Sequence, residues 1–205
     1  MTKAEQFAAA HDPDPAHSRH VAQNSLALFD ALGRPPDALL SARCAWGVPL
    51  FAIADLDHAR TLLQAAAILH DVGYSVDPDS HHKQSRDMIL ASGITDFPPN
   101  DIAIIACIAR YHRKTLPDPR HKVYRDLDPQ SQQLVNHLAA ILRIADGLDR
   151  SHAGSAQSIR VTRSRGTVSI HVRQEPPSAS DIEAARKKAD LFEQTFGLQV
   201  EIIPD

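Results

Sequence analysis

Apolar residues recur at helical spacing through most of the chain and at a spacing of two only near its end. His17, Val21, Ser25, Leu28 and Leu32 share one helical face behind Asp14-Pro15, a cap followed by a proline suited to the first helical position. Gly33 closes that segment, so His17 belongs to an inward stripe. Pro35, Pro36, Gly47 and Pro49 interrupt the pattern between Arg34 and Ile53, which reads as a short helix and a connector. Asp57 is the expected cap of the next helix. Its apolar run Leu62-Leu63-Gln64-Ala65-Ala66-Ala67-Ile68-Leu69 leads into His70-Asp71 and stops at Gly73. Asp79 or Ser80 caps another helix, closed by Gly93. Pro98 and Pro99 start a fourth, in which Ile102, Ile105, Ala109 and His112 share a face. Asp128-Pro129 repeats the cap-and-proline signal and opens a long helix. Val135, Leu138, Leu142, Ala145 and Asp149 form its stripe, with Asp146 one turn beyond Leu142.

After Ser151 the period changes. Ile159 and Val161 alternate with polar residues, as do Val168, Ile170 and Val172, and Ser164-Arg165-Gly166 is the expected hairpin turn. Ser180-Asp181-Ile182-Glu183 has the form of a capping box, followed by a helical stripe of Ile182, Ala185, Ala189, Phe192 and Phe196 that ends at Gly197. Leu198, Val200 and Ile202 make a last strand. The expected fold is mainly α: a helical bundle over residues 1–152 and a small α+β appendage (β-β-α-β) over 153–205, packed on it.

Length and composition agree with this. The 205 residues suffice for one domain with a real core plus a small appendage. A net charge of -3 argues against binding polyanions by bulk charge. Cys44 and Cys107 form no metal-spaced pair and no disulfide framework, which fits a reducing compartment. Met1-Thr2-Lys3-Ala4-Glu5-Gln6 does not open a signal peptide, and the longest apolar stretch, around Ala45 to Ala54, is too short to span a bilayer. A cytoplasmic protein without a membrane partner is expected. Trp46, Leu50 and Phe51 form either core or an exposed patch.

The chemistry concentrates in histidine and aspartate. Twelve histidines is a high count, and imidazole is the commonest metal ligand. A lone histidine on an apolar face is usually a hydrogen-bonded core residue. Here that explanation must hold separately for His17, His70, His112, Asp71 and Asp146, and buried ionisable groups are normally paired or metal-bound. Adding His81 gives six side chains, enough for one or two divalent ions bridged by a carboxylate. A histidine-rich set favours manganese, iron, cobalt or zinc over magnesium, which prefers oxygen ligands.

These residues carry a resemblance. The pattern His17…His70-Asp71…Asp146 is similar to that of the HD phosphohydrolases. Leu69-His70-Asp71-Val72-Gly73, His81-His82-Lys83-Gln84-Ser85, Ala109-Arg110-Tyr111-His112-Arg113-Lys114 and Leu142-Arg143-Ile144-Ala145-Asp146-Gly147-Leu148-Asp149-Arg150-Ser151 resemble the C-terminal region of the exopolyphosphatase/guanosine pentaphosphate phosphohydrolase family. The opening His17-Ser18-Arg19-His20-Val21-Ala22 and the closing Leu191-Phe192-Glu193-Gln194-Thr195-Phe196-Gly197 fit too. The resemblance implies an HD-type bundle in which His17, His70, Asp71 and Asp146 hold metal. His81 and His112 match the two extra histidines of members that bind two ions. His20 and His82 stay open as alternatives to His17 and His81. Asp71 and His112 are the implied catalytic residues, and Asp71 positions a metal-activated water if it bridges the ions. The actin-like domain that carries phosphatase activity elsewhere in that family, with its glycine-rich phosphate loops, is not expected among these residues, so that mechanism does not carry over. The implied function is metal-dependent hydrolysis of a phosphorylated small molecule: a nucleotide, an alarmone or polyphosphate. The alternative is a non-catalytic regulatory or dimerisation module that binds such a ligand.

Six lysines and arginines lie between Arg110 and Arg125 against one acid, Asp118, beside His112. Arg110, Arg113 and Lys114 from this stretch, with Arg143 and Arg150, are the candidates for holding substrate phosphate. Arg150 could instead pair with Asp146 or Asp149. Arg160, Arg163, Arg165 and Arg173 make the appendage basic, but without aromatic stacking residues it reads as a solvated sheet face, and a nucleic-acid partner is not expected. A homodimer is the expected assembly.

Overall fold

Helices in this chain start where a side chain can satisfy backbone N–H groups that have no partner in the first turn. The computed structural model describes residues 1–33, 53–164 and 166–205. The connector after Arg34, the Trp46, Leu50 and Phe51 cluster, Cys44 and Arg165 of the hairpin turn lie outside the described residues.

Helix α1 (Lys3–His11) is capped by Thr2 in a capping box with Glu5, a start that the apolar spacing does not mark. Asp14 accepts from the His17 amide at 3.1 Å and opens α2 (Pro15–Gly33). The cap of α3 (Leu56–Leu69) is Asp55, not Asp57: its Oδ1 accepts from the His58 amide at 2.9 Å. Helix α4 (His81–Ala91) begins after Ser80 and α5 (Pro99–Arg110) after Pro98. A single turn, α6 (Lys122–Arg125), lies within the basic stretch. Asp128 caps α7 (Pro129–Gly147) with bonds to the amides of Gln130 and Ser131 at 2.9 and 3.0 Å, an arrangement worth about 1 kcal/mol.

Leu62, Leu63 and Leu69 of α3, Ile105 and Ile108 of α5, and Leu138 and Ile141 of α7 are fully buried together. Helix α7 is the hub, packing against α2, α3 and α5 within the bundle and against the appendage beyond it. At Gly73 the turn after α3 presses onto α4: a Cβ there would stand 2.3 Å from the Ser85 amide nitrogen. The Gly73 amide donates to Ser85 Oγ at 2.9 Å. This close approach sets the position of everything between His70 and His81.

The appendage holds β1 (Ala156–Ser164) and β2 (Thr167–Gln174) as an antiparallel hairpin, and β3 (Gln199–Pro204) parallel to β2, in the order β1-β2-β3. Val168, Ile170, Val172 and Ile202 face inward. The expected single helix between them is broken into α8 (Ala179–Lys187) and α9 (Asp190–Phe196), with Lys188 at the break. Ser178, not Ser180, caps α8. Asp181 is fully buried and accepts from the Ser151 amide, the Ser151 hydroxyl and the Ser155 hydroxyl at 2.8 to 2.9 Å. It thereby ties the appendage to the end of α7. Gly147 lets α7 and α8 meet backbone to backbone, since a Cβ there would lie 2.6 Å from the Ala185 Cα. Among the described residues no helix is long and apolar enough to cross a membrane.

Candidate metal centre

His17 reaches inward from the first turns of α2, His70 caps the C-terminal end of α3, and Asp71 follows it. His81 opens α4, His112 stands two residues past the end of α5, and Asp146 lies in the last turn of α7. These six side chains come together as two triads, His17 with His70 and Asp146, and Asp71 with His81 and His112.

Each of the four imidazoles is pinned at Nδ1 by an oxygen that can only accept. His70 Nδ1 donates to the Ala67 carbonyl at 2.7 Å, His81 Nδ1 to Pro78 at 2.7 Å and His112 Nδ1 to Ala109 at 2.6 Å. His17 Nδ1 donates to Asp149 Oδ2 at 2.8 Å. Every Nε2 therefore turns to the centre, the arrangement of histidines that ligate through that nitrogen. His81 Nε2 and His112 Nε2 stand 3.2 Å apart, two lone pairs facing each other. His70 Nε2 and Asp71 Oδ1 are buried and have no hydrogen-bond partner among the described residues.

Asp71 joins the triads. Its Oδ2 lies 3.9 Å from His17 Nε2 and 3.6 Å from His70 Nε2, while Oδ1 lies 3.2 Å from His81 Nε2 and 3.7 Å from His112 Nε2. Asp146 Oδ1 completes the first triad at 3.5 Å from His17 and 4.0 Å from His70. Ligands about 2.1 Å from one ion stand roughly 3.0 to 3.4 Å apart, so the six donors need only small shifts to close on metal. Donor types, spacing and the two orphaned atoms fit a divalent transition ion.

The two triads differ in charge. Burial opposes protonation of His17, but hydrogen bonds to Asp146 and Asp149 push it up to about 10. Burial likewise opposes ionisation of Asp146, but the ammonium of Lys188 and the bond from His17 hold its carboxyl well below the usual range. In the second triad, burial draws His81 and His112 down, so both imidazoles are neutral near pH 7.

The centre lines a cavity of about 340 Å³ with Tyr74, Pro78, Asp79, Arg113, Arg150, His152 and Lys188. Of the five expected phosphate-binding cations, Arg113 and Arg150 line it. Arg113 Nη1 stands 3.2 Å from both ring nitrogens of His81. Asp146 and Asp149 are taken by Lys188 and His17, so Arg150 does not serve them. Lys114 donates to the Asp79 carbonyl at 2.6 Å and braces the rim. Arg143 is turned away, held by Asp190 at 2.8 Å and by the Tyr111 carbonyl at 3.0 Å. Arg110 lines a different cavity. A larger cavity of about 400 Å³, at the N-terminal ends of α3, α5 and α7, holds none of the six donors.

Direction separates the neighbouring histidines. His81 faces the centre and His82 does not; burial and the charge of Arg113 draw His82 down to about 4. His20 lies outside the triads, near Gly154. Three further residues join the centre without standing out as such in the sequence. Asp149 orients His17 and reads in sequence only as part of an apolar stripe. His152 stacks on His17 with ring centroids 3.9 Å apart, and Lys188 arrives from the break between α8 and α9. Neither of the last two carries a local signal.

Fold and centre together define a helical domain with two adjoining clusters of side chains that could hold metal, beside a cation-lined cavity. The family model for the Ppx/GppA phosphatase, domain III, matches residues 1–182, and the chain belongs to that family. No curated protein matches it.

Proposed function

We propose that this domain is a metal-dependent phosphohydrolase of the HD type that acts on a phosphorylated small molecule: a nucleotide, an alarmone or polyphosphate. The observation that carries the reading is the set of four histidines fixed at Nδ1 with their Nε2 atoms converging on Asp71 and Asp146. His17, His70 and Asp146 would hold one divalent ion and His81 and His112 a second, with one carboxylate oxygen of Asp71 directed to each. When bound, such an ion lowers the pKa of a water molecule and offsets negative charge growing on the phosphoryl oxygens. Asp71 orients the attacking water, and Arg113 and Arg150 bind the non-reacting phosphates. Lys188 neutralises Asp146 and lines the same cavity, where its ammonium would stand beside a bound phosphate.

One observation favours a second reading. The ammonium of Lys188 already sits on Asp146 where a cation would, as expected of a non-catalytic module that binds a phosphorylated ligand or pairs with a second copy. The two readings part in one experiment. Protein purified without chelator or histidine tag and supplied with manganese or iron is assayed for metal content and for phosphate release from nucleotides, guanosine pentaphosphate and polyphosphate. About two ions per chain with phosphate release is the expected result for the enzyme. Protein that stays metal-free, or takes up metal and releases nothing, leaves the binding module.

A further inference from the structure

Arg110 is buried, 6% exposed, at the C-terminal end of α5. Its Nε and Nη1 are buried and have no hydrogen-bond partner among the described residues. The one carboxylate that lines the same cavity, Asp87, is engaged by Arg86. A buried guanidinium with no counter-charge is costly, and the usual resolution is an anion. The space for one is present. Arg110 lines a cavity of about 160 Å³ with Arg86, His121 and Lys122, walled by Cys107, Tyr111 and Tyr124. That cavity shares no lining residue with the metal centre.

The polar walls point the same way. Tyr111 Oη and His121 Nδ1 are 2.9 Å apart. A phenol is protonated near neutral pH, so Tyr111 Oη donates to Nδ1. Neutral His121 then carries its own proton on Nε2, a second donor on the same wall. The one carboxylate of the lining, Asp87, is held by both Nε and Nη2 of Arg86 at 2.7 Å, and does not reach Arg110.

We propose that this cavity is a second oxyanion site, separate from the metal centre, that takes inorganic phosphate or the terminal phosphate of a phosphorylated ligand on Arg110, with Arg86, Lys122 and His121 around it. A rotation of the guanidinium turns its unmet N–H groups onto the anion. The site does not depend on metal. It stands on the strand of chain Arg110-Tyr111-His112-Arg113, so an anion there presses on the segment that positions His112.

The test is a titration of chelator-treated full chain with sodium phosphate at constant ionic strength, followed by calorimetry and by the ¹H–¹⁵N signals of the arginine Nε–H groups. Saturable binding is expected, with the Arg110 Nε–H signal shifting. Arg110→Met weakens binding about tenfold or more, and Arg86→Met weakens it to a lesser degree. Arg160→Met, on an exposed strand of the appendage and in neither cavity, leaves it unchanged. Arg110 has no carboxylate partner among the described residues, only the Tyr111 ring 5.7 Å away, so Arg110→Met is expected to fold; Lys122→Met, on an exposed side chain, is the variant that keeps the test valid otherwise. No saturable binding, or binding that survives in Arg110→Met or Lys122→Met at full strength, overturns the proposal. So does binding lost in Arg113→Met and retained in Arg110→Met, which would put the phosphate in the metal cavity.

Discussion

The two triads of the candidate metal centre are built from similar donors but prepared in opposite ways. His17, His70 and Asp146 come from three helices far apart in sequence, are buried, and carry charge: a proton on His17 and the ammonium of Lys188 on Asp146. Asp71, His81 and His112 sit at helix ends and a turn. Their imidazoles are neutral and supported by backbone carbonyls of their own turns. The first triad must shed a proton and displace an ammonium before it can take an ion, whereas the second is ready. Loading should therefore be stepwise, with the two half-sites responding differently to pH.

The largest expected effect erases the distinction. Asp71→Ala removes the carboxylate that faces both triads, and metal content by mass spectrometry should fall to none, with phosphate release at background. Retention of one ion would mean that the triads are independent. His81→Ala should take metal content from about two ions per chain to about one, sparing the first triad. A change of pH should separate the halves without mutation. Because His17 titrates near 10, the first half-site should gain about tenfold in affinity per pH unit, roughly a hundredfold from pH 7 to 9, while the second stays flat. Competition with a metal-sensitive dye measures both, and equal slopes would contradict the assignment. In the metal-free chain the sign is reversed: the raised pKa of His17 stabilises the fold fully below 6.5, and that contribution is lost as pH rises through about 10. Asp149→Ala should weaken the first half-site about 10- to 100-fold by removing the acceptor that aims His17. The smallest effect is expected for Lys188→Met, a gain of about threefold in the same half-site once the competing charge on Asp146 is gone. A loss there would instead make Lys188 a support for Asp146.

Much of the architecture is written locally. Asp14-Pro15, Asp128-Pro129 and Pro98-Pro99 mark helix starts because capping needs only a short-range acceptor and a fixed φ, and all three hold. The switch of period after Ser151 marks the hairpin for the same reason. Where several residues offer the same local chemistry, pattern alone picks the wrong one. Asp55 competes with Asp57 and Ser178 with Ser180, and in each pair the earlier residue accepts the capping bond. The stripe from Ile182 to Phe196 is helical throughout in its spacing, yet Lys188 breaks it.

The six metal-ligand candidates are legible in the sequence, because histidine and aspartate on apolar stripes have few other chemical uses. Their division into two triads is not, and neither is the place of Asp71 between them. Both depend on where α2, α3, α4, α5 and α7 end relative to one another, and that is set by close contacts such as Gly73 on Ser85. The cations show the same limit. Arg110, Arg113, Lys114, Arg143 and Arg150 look equivalent as charges in sequence, yet two line the metal cavity, one braces its rim, one is held by Asp190 and one stands unpaired in a cavity of its own. Residue type is a property of the chain, so the chemistry available was legible from it. Direction and company arise only when distant helices pack, and these separate a ligand from a neighbour and a phosphate clamp from an ion pair.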